Sequence, residues 1–274
     1  MLAQRDAALE ERLTEALGAN RRGELRAFQQ VPSTMDVAHA LAAEGAVEGT
    51  LVWTLRQTQG RGRQGRAWAS PAGGAYFSIV VRPARPSAEI PQLSLVAGLA
   101  LAEAVQEVTR LHPSIRWPND LLINGKKVAG ILSEGVRGGG RGAGENGTTT
   151  YVVIGIGINV STKPAEFPDA ATSLDAAGGE NPDPLHLTAR LYRRFFRWYD
   201  VWSAEGFAPI REALRPWIGL FGQVVHLTAG NDRFEGTASD LDEAGKLVVR
   251  LDSGMMRAFE MGEVTLLRQQ EVLE

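Results

Sequence analysis

Gly60-Arg61-Gly62-Arg63-Gln64-Gly65-Arg66-Ala67-Trp68 is the stretch on which the reading of this chain turns. Three glycines and three arginines alternate within seven residues, and a tryptophan closes the run. Glycine permits positive φ and close approach of the backbone to a ligand, while arginine supplies a planar, permanently charged fork for carboxylate and phosphate oxygens. The stretch is therefore expected to handle anions. It also fits G-x-G-x-x-G, and the apolar run Thr50-Leu51-Val52-Trp53-Thr54-Leu55 before it reads as a strand, so a dinucleotide-binding turn competes. Such a turn must open a helix and be followed about 20 residues on by an acidic group for the ribose. Here Ala69-Ser70-Pro71-Ala72-Gly73-Gly74 cannot continue a helix, and Ala75-Tyr76-Phe77-Ser78-Ile79-Val80-Val81 reads as the next strand. The loop thus links two strands; a solvated basic surface loop is the remaining alternative.

The background makes the arginines stand out. The chain has 274 residues, 44% hydrophobic and 22% charged, an ordinary globular balance for one large or two unequal domains. Its formal charge of -3 gives no general attraction to nucleic acid, so anion affinity must be local. With no cysteine, disulfide scaffolds, thiolate catalysis and zinc-cysteine sites are excluded, and a cytoplasmic setting is the expectation. The N-terminus lacks the apolar region of a secretory signal, and no run is expected to reach the ~18 apolar residues of a membrane span.

Outward from the loop, residues 6–18 read as a short helix closed by Gly18. Phe28-Gln29-Gln30-Val31 reads as a strand, and 35–44 as a helix, with Ser33 and Asp36 suggesting a short capping box. Residues 93–111 carry apolar groups at helical spacing and should form the main core helix. Asn124-Gly125 signals a hairpin between a strand starting at Asp120 and one carrying Lys127. Residues 135–149, rich in glycine, read as a long surface connection, 151–160 as a buried strand, and 185–205 as a helix whose aromatics belong to the core. From Gln223 short β runs between Gly, Asn and Asp turns predict a small barrel.

Several polar positions gather on consecutive strands of this sheet. Arg116-Trp117-Pro118-Asn119-Asp120 sets an amide and a carboxylate on a tight turn, where Asn119 could read an adenine edge and Asp120 a metal ion, or both could simply form an Asx turn. Lys127 could reach the same pocket, although a strand lysine often faces solvent. Gly155 and Gly157, two apart, leave one strand face bare for a flat ligand or for a packed helix. Motifs of serine hydrolases, P-loops and zinc proteases are missing, and the histidines at 39, 112, 186 and 226 are scattered.

Together, Gln57-Thr58-Gln59 running into the arginine loop, Arg116-Trp117-Pro118-Asn119-Asp120, Lys127-Val128-Ala129-Gly130-Ile131-Leu132 and Gly155-Ile156-Gly157-Ile158-Asn159 resemble the biotin protein ligases over roughly residues 28–270. The resemblance implies an α+β fold: a mixed, largely antiparallel sheet flanked by helices, similar to class II aminoacyl-tRNA synthetase cores, plus a small SH3-like barrel. The expected division is a catalytic domain over 1–220, with 1–27 as a helical extension, and the barrel over 221–274. It implies ATP and Mg²⁺ as cofactors, biotin as substrate, a biotinyl-5′-AMP intermediate, and a lysine of a biotin carboxyl carrier protein of acetyl-CoA carboxylase or a related carboxylase as acceptor. By resemblance Ser33, Thr34, Gln57, Arg61, Gly62, Arg63, Lys127, Gly155 and Gly157 would bind biotin. Arg63, Arg66, Trp68, Asn119, Asp120, Lys127 and Asn159 would bind the nucleotide, Asp120 would touch the metal, and Lys127, Arg63 and Arg61 would be catalytic. The chain departs from the family pattern at Met35, where asparagine is usual, at Gln64, where arginine is frequent, and around Leu267-Arg268, which does not fix the register of the usual barrel arginine. A single helix before Phe28 leaves no recognition helix, so no DNA partner is expected; no membrane partner is expected either, and a homodimer is consistent with the family. The same fold also hosts lipoate or octanoate ligases, and a non-catalytic adenylate-binding protein is the reading from a different class.

Overall fold

A computed structural model describes residues 4–137, 149–163, 170–180, 182–229, 231–260 and 264–267. Its centre is a seven-stranded sheet in the order β1-β2-β3-β7-β6-β5-β4. The strands are β1 (Leu25–Val31), β2 (Leu51–Gln57), β3 (Gly74–Val81), β4 (Ser114–Arg116), β5 (Asp120–Ile123), β6 (Lys126–Arg137) and β7 (Thr149–Asn159). Only β1 and β2 pair in parallel, joined through helix α2 (Thr34–Ala43); the other neighbours are antiparallel.

Helices α1 (Ala7–Leu17), α3 (Leu93–Thr109) and α4 (Pro184–Glu205) belong to the larger core on one face of this sheet. Asp6 caps α1, accepting from the Leu9 N–H at 3.0 Å, and Gly18 ends it at φ 65°. Leu9, Leu13 and Leu17, spaced by four, bury the helix against that core. By length and hydropathy alone Ser87–Thr109 would suffice to cross a membrane, contrary to the expectation that no run does; 72% of its apolar 18-residue stretch is buried inside the protein, which explains its apolar character. The helix stops at Thr109 rather than 111 because Arg110 takes the left-handed position at φ 61°. Asp183 caps α4 and Gly206 ends it; its Leu191, Phe195 and Trp202 are buried, while Trp198 is half-buried.

Strand alternation prepares the opposite face. On β7, Val152, Ile154, Ile156 and Ile158 point to the larger core, while Tyr151 and Val153 point to a second cluster beneath α2. Gly155 and Gly157 continue that second row without side chains of their own, so Met35 of α2 and the Trp68 indole lie directly on the sheet there. The Asn124-Gly125 hairpin forms as expected, with φ 50° and 76°. The strand carrying Lys127 runs on to Arg137, into the segment expected to be loop, and 138–148 lie outside the described residues.

A second, five-stranded antiparallel sheet has the order β11-β10-β9-β8-β12. It is built from β8 (Val224–Ala229), β9 (Asp232–Leu241), β10 (Leu247–Leu251), β11 (Met256–Phe259) and β12 (Val264–Leu267). It agrees with the expected SH3-like domain, with β11 and the short helix α5 (Ala208–Leu214) as additions not read from the sequence. Arg268 lies outside the described residues. The turn from Asp242 to Lys246 touches the main sheet: the Trp117 indole N–H donates to the Gly245 carbonyl at 3.1 Å, and the Gln92 amide to Glu243 O at 3.4 Å.

Candidate active site

Every site residue expected from the sequence except Asn159 lines one cavity of about 180 Å³ on the glycine-bearing face of the sheet. Its floor is β6 and β7, one wall is the start of α2, and the arginine loop and the β4–β5 turn form the rest. Asn159 is 2% exposed, and its amide donates to Thr172 O at 3.0 Å. Asn159 shares the strand face of Gly155 and Gly157 but is not among the residues lining the cavity; its amide N–H ties β7 to the segment at Thr172, while its buried Oδ1 has no partner among the described residues.

One end of the cavity is neutral and polar. The Ser78 hydroxyl donates to Thr34 Oγ1 at 2.9 Å, and Thr34 donates to Gln57 Oε1 through its backbone N–H at 2.8 Å and its hydroxyl at 3.1 Å. The Gln57 amide nitrogen then donates to Ser70 Oγ at 2.9 Å, which donates to Trp68 O at 3.2 Å. This chain fixes the orientation of Gln57 and joins α2 to the end of the arginine loop. The capping box suggested by Ser33 and Asp36 does not form: Ser33 makes no cap bond, and its buried hydroxyl has no partner among the described residues. A buried, unpaired hydroxyl facing a cavity is a donor and acceptor held ready for a ligand. Met35 fills the place of the expected asparagine and packs on Gly155, where a Cβ would lie 2.5 Å from its sulfur. The bare face at Gly155 is thus covered by helix α2 itself, the packing alternative weighed above.

The other end is cationic. Lys127 Nζ lies 2.5 Å from Asp120 Oδ1, and the Arg116 guanidinium lies 2.6 Å from Oδ2. The lysine also sits 5.0 Å from the centre of the Trp68 ring. That indole rests across two paired glycines: a Cβ on Gly157 would lie 2.4 Å from Trp68 Nε1, and one on Gly130 would lie 3.1 Å from its ring. Gly130 is a residue the sequence reading passed over, since its partner is far away along the chain. Arg63 donates to Asn119 Oδ1 at 3.2 Å, and Asn119 donates to Ile131 O at 2.8 Å, so both ends of this amide are engaged. Burial pushes the Arg63 guanidinium below its ordinary pKa, with Asp120 opposing and Arg66 adding to the shift. Part of its hydration has been removed, so an arriving anion finds a stronger partner there than in water.

The arginine loop closes on itself. Gly62 N–H donates to Arg66 O at 2.7 Å, Arg66 N–H to Arg63 O at 3.2 Å and Trp68 N–H to Gly60 O at 2.9 Å. Gln64 occupies the left-handed region at φ 55° and Gly65 follows at 71°. Magnesium at Asp120 does not fit this arrangement: both carboxylate oxygens are paired with cations, and among the described residues no three His, Cys, Asp or Glu groups come together.

The chain matches the biotin/lipoate A/B protein ligase family over residues 27–159 and the biotin protein ligase C-terminal domain over 220–267. It is 37% identical over 232 residues to the bifunctional ligase/repressor BirA of Bacillus subtilis, covering 83% of this chain and 69% of that one. It is 36% identical over 228 residues to the biotin–[acetyl-CoA-carboxylase] ligase of Paracoccus denitrificans, covering 79% and 91%. Among solved structures, the Aquifex aeolicus biotin protein ligase in complex with biotin and ATP aligns with a TM-score of 0.75 and 30% identity, covering 90% of this chain and 99% of that one. With both parts of the chain matched and the sheet, barrel and cavity in place, the chain belongs to the biotin protein ligase family of enzymes.

Proposed function

We propose that this chain activates biotin with ATP and passes the acyl group to a lysine of a biotin carboxyl carrier domain. The observation that carries the reading is the division of one cavity into a hydrogen-bonding neutral end and a cationic end, over a glycine floor on which Met35 and Trp68 pack. A ureido ring wants donors and acceptors at fixed positions, and Ser33, Thr34 and Gln57 supply them without charge. The valeryl carboxylate then extends toward Arg63, Arg66, Lys127 and Arg116, where a triphosphate also belongs. Two anions must meet before they react, and cations already fixed in place lower that barrier without reorganising. A biotin carboxylate oxygen bonds to the α-phosphorus of ATP as the bond to pyrophosphate breaks, giving biotinyl-5′-AMP. The ε-amine of the carrier lysine then attacks the acyl carbonyl, AMP leaves, and the amine proton is lost to solvent. In the first step Lys127 exchanges Asp120 for the α-phosphoryl oxygens, and Trp68 walls the nucleotide side.

Support also comes from relatives named as ligases acting on acetyl-CoA carboxylase and from a neighbour solved with biotin and ATP. Exchange of labelled pyrophosphate into ATP tests the reading. Exchange that depends on biotin, together with labelling of a carrier domain, is expected. Exchange that depends on lipoate or octanoate instead would assign the cavity to the other branch of the fold, and no exchange with any of these acids would reduce it to a binding site.

A further inference from the structure

Arg61 stands apart from the other cations of its loop. Arg63 faces Asn119 inside the cavity, whereas the Arg61 guanidinium reaches out of the loop to two carboxylates. It lies 2.8 Å from Asp36 in the first turn of α2 and 3.4 Å from Glu134 on β6. Asp36 directly follows Met35, and Glu134 lies two residues beyond Leu132 on the same strand face; Met35 and Leu132 both line the cavity. Arg61 therefore bridges the two walls at the neutral end. The Glu134 oxygen it approaches also pairs with His39 Nε2 at 2.9 Å, so the carboxylate is held from behind by the same helix that carries Asp36.

We propose that Asp36 and Glu134 are positioning residues that fasten the arginine loop through Arg61 across the margin of the cavity, and so set how long the acyl-adenylate stays bound. The proposal rests on the adenylate reading above for its kinetic consequence, but not for the fastening itself. Neither carboxylate touches the reacting groups, so they act on residence rather than on bond making. The three side chains are 43%, 52% and 37% exposed. Ion pairs this exposed are individually weak and salt-sensitive, so losing both should speed release only about 3- to 10-fold.

The experiment compares wild type with Asp36→Asn, Glu134→Gln and the double variant. Single-turnover formation of biotinyl-adenylate, its release into an unlabelled chase, and hydrogen exchange of residues 60–67 without ligand are measured for each. Formation within about twofold of wild type is expected, with release faster by the amount above and faster exchange of the loop; such a split is not produced by a general loss of folding. Asp36→Glu, which keeps the charge, should behave as wild type, and high salt should speed release from wild type more than from the double variant. Unchanged release together with unchanged loop exchange would overturn the proposal, as would a loss confined to adenylate formation. If wild type makes no adenylate, the functional reading fails, and the exchange comparison alone then decides whether the two carboxylates fasten the loop.

Discussion

The two ends of the cavity are prepared in opposite ways. At the neutral end, hydrogen bonds run in one direction from Ser78 through Thr34, Gln57 and Ser70 to the Trp68 carbonyl. That end is committed before any ligand arrives, and what it leaves unpaired is a single hydroxyl on Ser33. At the cationic end nothing is committed in this sense: Lys127 and Arg116 share Asp120, and Trp68 lies over the lysine as a temporary cover. A ligand at the first end adds to a finished network, while a ligand at the second must displace partners. Selectivity should therefore live at the first end and rate at the second.

The largest effect should come from breaking the cationic end. Lys127→Ala removes the charge proposed to meet the α-phosphoryl group and leaves Asp120 paired with Arg116 alone. Biotin-dependent pyrophosphate exchange is expected to fall by roughly 10²- to 10³-fold in kcat, with biotin affinity by calorimetry changed much less. Equal losses in both would mean that the two ends are not separate. A smaller effect is expected at the neutral end. Gln57→Leu leaves the Thr34 N–H and the Ser70 hydroxyl without their partner, and an unsatisfied buried group costs about 1–3 kcal/mol. KM for biotin should rise roughly 10- to 100-fold while kcat moves little; a change confined to kcat would reverse the division of labour. The smallest effect tests the seam between the ends. Gly157→Ala places a methyl group where the Trp68 indole now lies, so the ring must shift. KM for ATP is expected to rise about tenfold with biotin binding unchanged, the cost of a modest steric displacement.

Much of this arrangement could be read from the chain, and the parts that could not share a physical cause. The arginine loop as a strand-to-strand connection, the Asn124-Gly125 turn bringing Lys127 to Asp120, and the single-face placement of Gly155 and Gly157 follow from local rules of turn and alternation. Asn159 ends a recognised motif and shares the face of Gly155 and Gly157, yet it does not line the cavity and its amide N–H goes to Thr172 O, a partner that only the folded chain supplies. Ser33 and Asp36 have the spacing of a cap, but in the folded chain Asp36 finds Arg61, and Ser33 is left facing the cavity. Gly130 and Gly155 are explained by Trp68 and Met35, partners separated by tens of residues that only the assembled sheet brings near. Local chemistry was legible; the pairing of distant side chains across the cavity was not.

The bond between the Trp117 indole and the Gly245 carbonyl carries a consequence for the whole molecule. Trp117 and Pro118 lie immediately before Asn119, and one hydrophobic core includes both Trp117 and residues of the second sheet such as Leu241, Leu247 and Phe259. The barrel turn is thus a buttress behind the Asn119–Asp120 turn of the cavity. Severing the chain ahead of β8 would leave Trp117 with a stranded donor and an uncovered flank, and would detune the corner of the cavity formed by Asn119 and Asp120.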